Sequence, residues 1–75
     1  MTTQITRVDA LVGCRLQSLR SLRGLTISDL AESAKISLDS YELSENGARR
    51  FRAVELFRIA RKLDIGMNDI LSVLD

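Results

Sequence analysis

Apolar side chains recur along this chain at intervals of three and four residues, and no stretch alternates as a β-strand would. This periodicity predicts a first helix over residues 8–23. Thr6 and Asp9 have the spacing of a capping box at its start, and Gly24 can close it in a left-handed conformation. The positions that recur at helical intervals within it are Val12, Leu16, Leu19 and Arg23.

Two short helices are predicted to follow in close succession. Thr26, with Asp29 three residues later, is the expected N-cap of the second helix, and Ser37 is that of a third helix ending near residue 46. Only Lys35 and Ile36 separate the two helices, and so tight a turn is typical of the helix-turn-helix motif. The inner stripe of the second helix is expected to comprise Leu30, Ala31 and Ala34.

The remainder of the chain predicts a basic loop and two more helices. Gly47 closes the third helix, and residues 48–52, Ala-Arg-Arg-Phe-Arg, form the loop. A fourth helix is predicted over residues 53–63, and a short fifth helix starts near Met67, from which Ile70, Leu71 and Leu74 follow at i+3, i+4 and i+7. In the fourth helix the expected inward side chains are Ala53, Leu56, Phe57, Ala60 and Leu63, and the outward ones are Glu55, Arg58, Arg61 and Lys62. The chain is thus expected to be all-α, a compact five-helix bundle over residues 8–75 preceded by a flexible arm over residues 1–7.

Length and composition fit one small globular domain. Of the 75 residues, 45% are hydrophobic and 28% are charged, which argues against wholesale disorder and leaves room for a thin core and one binding surface. No apolar run approaches the roughly 18 residues of a membrane span, and the N-terminus lacks the pattern of a signal peptide. Because Cys14 is the single cysteine, no internal disulfide can form, and a cytoplasmic location is expected.

The residue types offer little catalytic chemistry. The chain has no histidine, the commonest general base and metal ligand, and one cysteine with scattered carboxylates does not make a zinc site. Its four glycines are dispersed, so they form no phosphate-cradling loop. Cys14 fits a small apolar residue of the first helix better than a nucleophile or a redox sensor. We therefore predict a binding protein and not an enzyme, with no metal and no cofactor.

Several short motifs occur in a fixed order across nearly the whole chain. They are Arg15-Leu16, Leu19-Arg20, Gly24-Leu25-Thr26, Asp29-Leu30-Ala31, Ile36-Ser37, Glu45-Asn46-Gly47, Leu56 with Ile59-Ala60 and Leu63, and Ile65 with Asp69-Ile70-Leu71. In this order and at this spacing they resemble the Cro/C1-type (XRE-type) helix-turn-helix DNA-binding domains. The resemblance covers about residues 8–71. It implies a λ-repressor-like fold, double-stranded DNA as the partner, and association with the nucleoid when DNA is bound.

The third helix is the expected reading element. In helix-turn-helix proteins the second helix of the motif lies in the major groove, and its first turns reach the bases. On the predicted third helix, i, i+4 spacing separates an outward face from an inward one that carries Tyr41 and Glu45. The expected base-reading residues are Leu38, Asp39, Ser40, Glu42 and Leu43. The resemblance further implies phosphate contacts from Thr26, Ser37, Asn46, Arg49, Arg50 and Arg52.

An ion pair between Arg20 and Glu45 is also expected. Glu45 shares the inward face with Tyr41, where an unpaired carboxylate would cost several kcal/mol. Arg20 follows Leu16 by one helical turn, at the edge of the apolar stripe of the first helix. Members of the resembled family pair an arginine and a glutamate at these positions.

Three positions depart from the family pattern. Ile27 stands where a phosphate-binding glutamine is usual, Lys35 where the turn often has glycine, and Ser44 where a buried apolar residue is usual. The expected reading face is acidic and apolar, whereas arginine, lysine, asparagine and glutamine make the strongest base contacts. The formal net charge is only +1, well below that of a strongly basic nucleic-acid binder.

Two classes of function remain open on the sequence. One is a dimeric repressor or activator that binds a palindromic site and holds phosphates with the arginines of residues 49–52. The other is a co-regulator or antagonist that docks on another regulatory protein through its acidic third helix, and an antitoxin would combine the two. The basic loop, unless it is merely solvated, favours DNA, and the acidic face favours a protein. A homodimer is expected to use Met67, Val73 and Leu74, unless these residues belong to the core.

Overall fold

The computed structural model describes residues 7–72, which fold into five α-helices without a β-strand among them. The helices are α1 (Arg7–Leu22), α2 (Ile27–Ala34), α3 (Leu38–Glu45), α4 (Ala53–Leu63) and α5 (Met67–Leu71). The predicted all-α five-helix architecture is confirmed, and α4 has the predicted bounds. Because α1 begins at Arg7, this residue belongs to the helix and not to the predicted arm. The rest of that arm, including Thr6, and residues 73–75 lie outside the described part of the chain.

Four of the helices end in the same way, which keeps the connections short. After each helix a residue with positive φ turns the chain, and two backbone N–H groups donate to carbonyl groups of the last turn. The turning residues are Gly24 (φ 67°), Lys35 (φ 62°), Gly47 (φ 80°) and Asp64 (φ 58°). The apolar residues that follow three of them, Leu25, Ile36 and Ile65, pack against the core. Each turn therefore anchors the next segment as it ends a helix.

The two helices of the motif begin at the predicted caps. Thr26 Oγ1 accepts a hydrogen bond from the N–H of Asp29 at 3.1 Å, and the Asp29 carboxylate accepts one from the N–H of Thr26 at 2.9 Å. This reciprocal capping box lowers the pKa of Asp29, chiefly through the hydrogen bond from the Thr26 backbone. Ser37 Oγ accepts from the N–H of Ser40 at 3.1 Å. Local side-chain hydrogen bonds thus fix where α2 and α3 start.

One core joins all five helices. α2 packs against both α3 and α4, and α1 packs against α3. The ring of Tyr41 meets that of Phe51 edge-to-face, with 5.7 Å between the centroids. The largest completely buried hydrophobic side chains, with at least one from every helix, are Leu16, Leu30, Tyr41, Ile59, Leu63 and Ile70.

The faces of α4 correct three predictions. Ala53 and Phe57, expected inward, are exposed, whereas Glu55, expected outward, is buried. The side chains of α4 that face the core recur at the helical period at other positions, so Phe57 lies outside the buried side of the helix. Glu55 is buried because Arg49 of the preceding loop pairs with its carboxylate, a contact that periodicity does not reveal. The stripe that faces the core consists of Leu56, Ile59, Ala60 and Leu63.

Three arginines link helices through carbonyl groups near helix C-termini. Arg23 follows the apolar residues of α1 at the same helical interval, but it is exposed and donates to a carbonyl group of this kind. A cation there satisfies carbonyl groups without a helical partner and interacts favourably with the helix dipole. The donor–acceptor pairs are Arg58 to Ala34 O at 3.3 Å, Arg23 to Leu63 O at 2.6 Å, and Arg15 to Asp69 O at 2.9 Å.

Candidate nucleic-acid interface

The outward face of α3 carries the five residues expected to read bases. Leu38, Asp39, Glu42 and Leu43 are exposed and Ser40 is half-buried, and Leu43 keeps 50% of its surface accessible. The residues on the opposite face are buried. They are Tyr41, Ser44 and Glu45. α3 therefore has one face in the core and one face available to a partner.

The expected ion pair between Arg20 and Glu45 is present and joins α1 to the end of α3. Nε of Arg20 donates to Glu45 Oε2 at 3.0 Å, and Nη2 donates to Oε1 at 3.1 Å. The Tyr41 hydroxyl donates to Oε2 at 2.7 Å, and Nη1 of Arg20 donates to the carbonyl of Leu25 at 3.0 Å. Such a bidentate pair restrains distance and orientation together. The buried side of α3 is thereby fixed to α1 and to the α1–α2 connection.

Burial and the nearby carboxylate shift two pKa values in this cluster. Burial, assisted by the hydrogen bond to Glu45, raises the pKa of Tyr41 far above its ordinary value. The hydrogen bond to Glu45 raises the pKa of Arg20 as well. The Tyr41 hydroxyl is therefore protonated at neutral pH and donates to Glu45.

Arg49 ties the loop after α3 to the start of α4. Its Nη1 donates to Ser44 Oγ at 2.8 Å and to Glu55 Oε1 at 3.0 Å, and its Nη2 donates to Glu55 Oε2 at 2.9 Å. Glu55 Oε1 also accepts from the N–H of Arg52 at 2.9 Å. Ser44 and Glu55 are buried, and the Arg49 side chain keeps 28% of its exposure. Ser44 thus replaces the usual apolar residue because it supplies Arg49 with a buried acceptor.

The electrostatics of this cluster favour its charged form. The hydrogen bond from Arg49 lowers the pKa of Glu55, although burial acts in the opposite direction. The same hydrogen bond raises the pKa of Arg49. Glu55 is consequently an ionised, buried carboxylate at neutral pH.

The other two arginines of the loop differ in their freedom. Nε and Nη2 of Arg50 donate to the buried carboxylate of Asp9 at 3.0 and 3.3 Å, and 57% of the Arg50 side chain is exposed. Arg52 is exposed, and its side chain forms no hydrogen bond or ion pair within residues 7–72. Of the three arginines expected to contact phosphates, Arg49 and Arg50 are paired with carboxylates, whereas Arg52 interacts with Glu55 through its charge without an ion pair.

Sequence reasoning missed the two carboxylates that hold this loop. Glu55 occupies the third position of α4, where a capping-box glutamate is favoured, and Asp9 lies in the first turn of α1. The location of each carboxylate in the first turn of a helix was the feature of the sequence that could have identified it. The arginines that bury them lie 6 and 41 residues away in sequence, so helical spacing could not identify the pairs.

The remaining expected phosphate ligands lie at the surface. Thr26, Ser37 and Asn46 are exposed, and the hydroxyl oxygens of the first two already accept cap hydrogen bonds. Ile27, which replaces the usual glutamine, is partly buried against the core. Lys35, which replaces the usual glycine, adopts the left-handed conformation that the turn requires. Both departures are therefore accommodated by the fold without a change in the motif.

Other kinds of site were sought in the same residues. Within residues 7–72, no group of three or more histidine, cysteine, aspartate or glutamate side chains could hold a metal ion. No helix in that part of the chain is long and apolar enough to cross a membrane. Cys14 is a free, exposed thiol on α1.

Comparisons with known proteins agree with this geometry. A family model described as a helix-turn-helix domain matches residues 11–69. The chain is similar to the restriction-modification controller protein C.AhdI from Aeromonas hydrophila, at 28% identity and a TM-score of 0.76 over 81% of this chain and 92% of that chain. No curated protein matches the sequence.

Two crystal structures of the clp gene regulator ClgR from Corynebacterium glutamicum share the fold. One has a TM-score of 0.85 at 23% identity, over 93% of this chain and 74% of that chain. The other has a TM-score of 0.82 at 24% identity, over 91% of this chain and 88% of that chain. Since the family model spans most of the sequence and α2 and α3 form the motif that it describes, the protein belongs to the helix-turn-helix domain family of DNA-binding transcriptional regulators.

Proposed function

We propose that this chain is a sequence-specific regulator of transcription that binds a palindromic operator as a homodimer, with α3 in the major groove. The single observation that carries the proposal is the construction of α3. The Arg20–Glu45 pair fixes its inner face, and its outer face leaves a row of side chains without a partner in the core. The protein acts in the cytoplasm by binding, without catalysis, metal or cofactor.

Each expected contact has a role in this proposal. Leu38, Asp39, Ser40, Glu42 and Leu43 reach the base edges. Backbone N–H groups beside Thr26 and Ser37, at the starts of α2 and α3, face phosphates together with Asn46. Arg52 contacts phosphate with its free guanidinium. Arg49 and Arg50 each have five N–H donors, so they can hold a carboxylate and offer the remaining donors to phosphate.

The proposal is tested by binding to the DNA that flanks the gene for this protein, measured by fluorescence anisotropy at several salt concentrations. We expect saturable binding that is stronger than to a random duplex. Arg52→Ala should weaken binding to all duplexes alike and reduce the slope against the logarithm of salt concentration by about 2, because each dimer loses two phosphate contacts. Arg61→Ala, at an exposed arginine of α4, is the control, and its sedimentation must show an unchanged oligomeric state because Arg61 lies one helical turn from Phe57. Equal affinity for flanking and random DNA would contradict sequence-specific binding.

The dimer contact is best supported on α4. Phe57 and Val54 retain 52% and 47% of their exposure, and they lie on one side of the helix at i, i+3 spacing. Met67, one of the three residues first expected in this role, is partly buried against the core. The other two, Val73 and Leu74, lie outside the described residues. The apolar surface of α4 is therefore the stronger candidate for contact with a second copy.

Sedimentation equilibrium tests this contact. We expect a dimer on operator DNA, and Phe57→Ala should raise the dissociation constant of the dimer. Leu22→Ala removes an exposed apolar side chain from the end of α1 and should leave the oligomeric state unchanged. A monomer in the presence and absence of DNA would contradict the proposed dimer.

A second candidate function, binding to another regulatory protein, is favoured by the exposed Leu38 and Leu43 beside two carboxylates. Exposed leucines at a protein interface act as apolar anchors that dominate the binding energy. In that case Leu43→Ala should abolish the complex with the partner protein and spare any weak DNA binding. For an operator complex the same substitution should have a mild effect, because a leucine there contacts only methyl groups or sugars.

A further inference from the structure

The groups that α3 offers to a partner are unusual for a reading helix. Between residues 38 and 43 the outward side chains supply two carboxylates, two leucines and one hydroxyl, and no N–H donor. Asp39 and Glu42 form no hydrogen bond or ion pair within residues 7–72, so both carboxylates remain able to accept. The Ser40 hydroxyl accepts from that of Ser37 at 3.0 Å. This face therefore consists mainly of acceptors and apolar groups.

The chemistry of the base edges restricts what such a face can bind. Guanine presents two acceptors in the major groove, which repel a carboxylate, and adenine presents an acceptor beside its amino donor. Cytosine itself presents only its amino donor. Thymine presents an acceptor and a methyl group, and the methyl group favours apolar contact. Acceptors and leucines thus match pyrimidines, and they mismatch purines.

We infer that α3 reads a pyrimidine tract on one strand of each half-site, in which Asp39 and Glu42 accept from cytosine amino groups and Leu38 and Leu43 contact the methyl groups of thymines. This inference rests on the proposed function and specifies the class of operator. Each carboxylate has a leucine one helical turn away, Leu38 beside Glu42 and Leu43 beside Asp39, so the two kinds of contact fall side by side.

The spacing along α3 suits consecutive bases. Three residues separate Asp39 from Glu42, which corresponds to a rise of about 4.5 Å along the helix axis. Successive base pairs are about 3.4 Å apart. The two carboxylates therefore face neighbouring or next-neighbouring base pairs, and the cytosines should lie within one short run.

Selection from a pool of random duplexes tests the inference with the whole chain. The wild-type protein should enrich half-sites with such a run of cytosine and thymine. In Asp39→Asn and Glu42→Gln the amide can donate and accept, which suits adenine, so each variant should change the preference at one position from cytosine to adenine by about 10-fold. Glu32→Gln, the same kind of change at an exposed acid of α2, is the control and should retain the preference for the run. A change of preference requires a folded protein, so it cannot result from a loss of structure.

Modified DNA provides the same test without any variant. Replacing a selected cytosine by a pyrimidinone that lacks the amino group should weaken wild-type binding by about 10-fold. Replacing a selected thymine by uracil should weaken the wild type but not Leu43→Ala at the position that Leu43 contacts. A specific site without cytosine under α3, or preferences unchanged by both amide variants, would overturn the inference and leave sequence-specific DNA binding intact. If no sequence were enriched, the proposed function itself would fall.

Discussion

Gly13 of α1 and the backbone carbonyl of Glu45 approach each other so closely that no side chain fits between them. A Cβ atom on residue 13 would overlap the carbonyl oxygens of both Ser44 and Glu45. The contact lies at the end of α3 where the Arg20–Glu45 pair is also formed. Close backbone packing and an ion pair thus set the position of the reading helix against α1.

Gly13→Ala should therefore destabilise the protein. In an unobstructed helix, alanine in place of glycine stabilises by up to about 1 kcal/mol. Here we expect the free energy of unfolding to fall by about 1–3 kcal/mol, because the backbone of α3 would have to move. Urea denaturation followed by circular dichroism measures the change. Gly66→Ser is the control, since a Cβ there meets nothing closer than 3.9 Å. Unchanged stability of Gly13→Ala would show that α1 and α3 are not in such close contact.

The pairing of Glu55 with Arg49 should appear in the pH dependence of stability. Because the pKa of Glu55 is lowered in the folded protein, its ionised form stabilises the fold. This contribution is complete above the unfolded pKa of about 4.3, and it is lost as the pH falls through the lower folded value. Glu55→Gln should lower the free energy of unfolding by about 1–3 kcal/mol at neutral pH and flatten its decline in acid.

Urea titrations at several pH values between neutral and acid measure both effects. Glu32→Gln is the control, because Glu32 is exposed on α2 and should alter neither the stability nor its pH dependence. If Glu55→Gln and the wild-type protein lost stability in parallel as the pH fell, the pair with Arg49 would not contribute as proposed.

Tyr41 should resist ionisation until the protein unfolds. The chain has one tyrosine and no tryptophan, so the absorbance of tyrosinate reports Tyr41 alone. Its pKa is raised in the folded state, so the neutral form stabilises the fold below the ordinary value of about 10, and this stabilisation is lost as the pH rises beyond it. We expect the tyrosinate signal to coincide with the loss of helical circular dichroism. Ionisation near the ordinary value in a folded protein would contradict the buried hydrogen bond to Glu45.

Lys35→Gly should stabilise the protein, although it removes a whole side chain. Lys35 adopts φ 62°, a conformation that costs a residue with a side chain about 1–2 kcal/mol and that glycine adopts freely. After the entropy of glycine in the unfolded chain is included, we expect a gain of about 0.5–1 kcal/mol in thermal or urea denaturation. Asp64→Gly, at a turn of the same geometry, should gain less because aspartate tolerates this conformation. Destabilisation by Lys35→Gly would mean that the Lys35 side chain contributes a contact of its own.

The local features of the sequence predicted the helices well, and contacts between distant residues account for what was missed. Thr26 and Ser37 mark helix starts through hydrogen bonds to residues three positions away, so their residue types, and for Thr26 the spacing to Asp29, revealed them. Glu55 has the sequence pattern of a surface residue, and its burial depends on the ion pair with Arg49. Phe57 has the pattern of a core residue, but it lies outside the buried side of α4. Ser44, a departure from the family pattern, becomes intelligible only as an acceptor for Arg49.

The arginines that join elements of this fold also limit its attraction to DNA in general. Three of them pair with carboxylates of the protein itself, which offsets part of their charge, so fewer cations are fully available to displace counterions from an arbitrary duplex. Weak binding to bulk DNA raises the ratio between the operator and the far more numerous competing sites, which decides occupancy in a genome. Such a regulator would dissociate quickly from other sequences, and its residence at the operator would depend on the contacts made by α3. The three arginines are Arg20, Arg49 and Arg50.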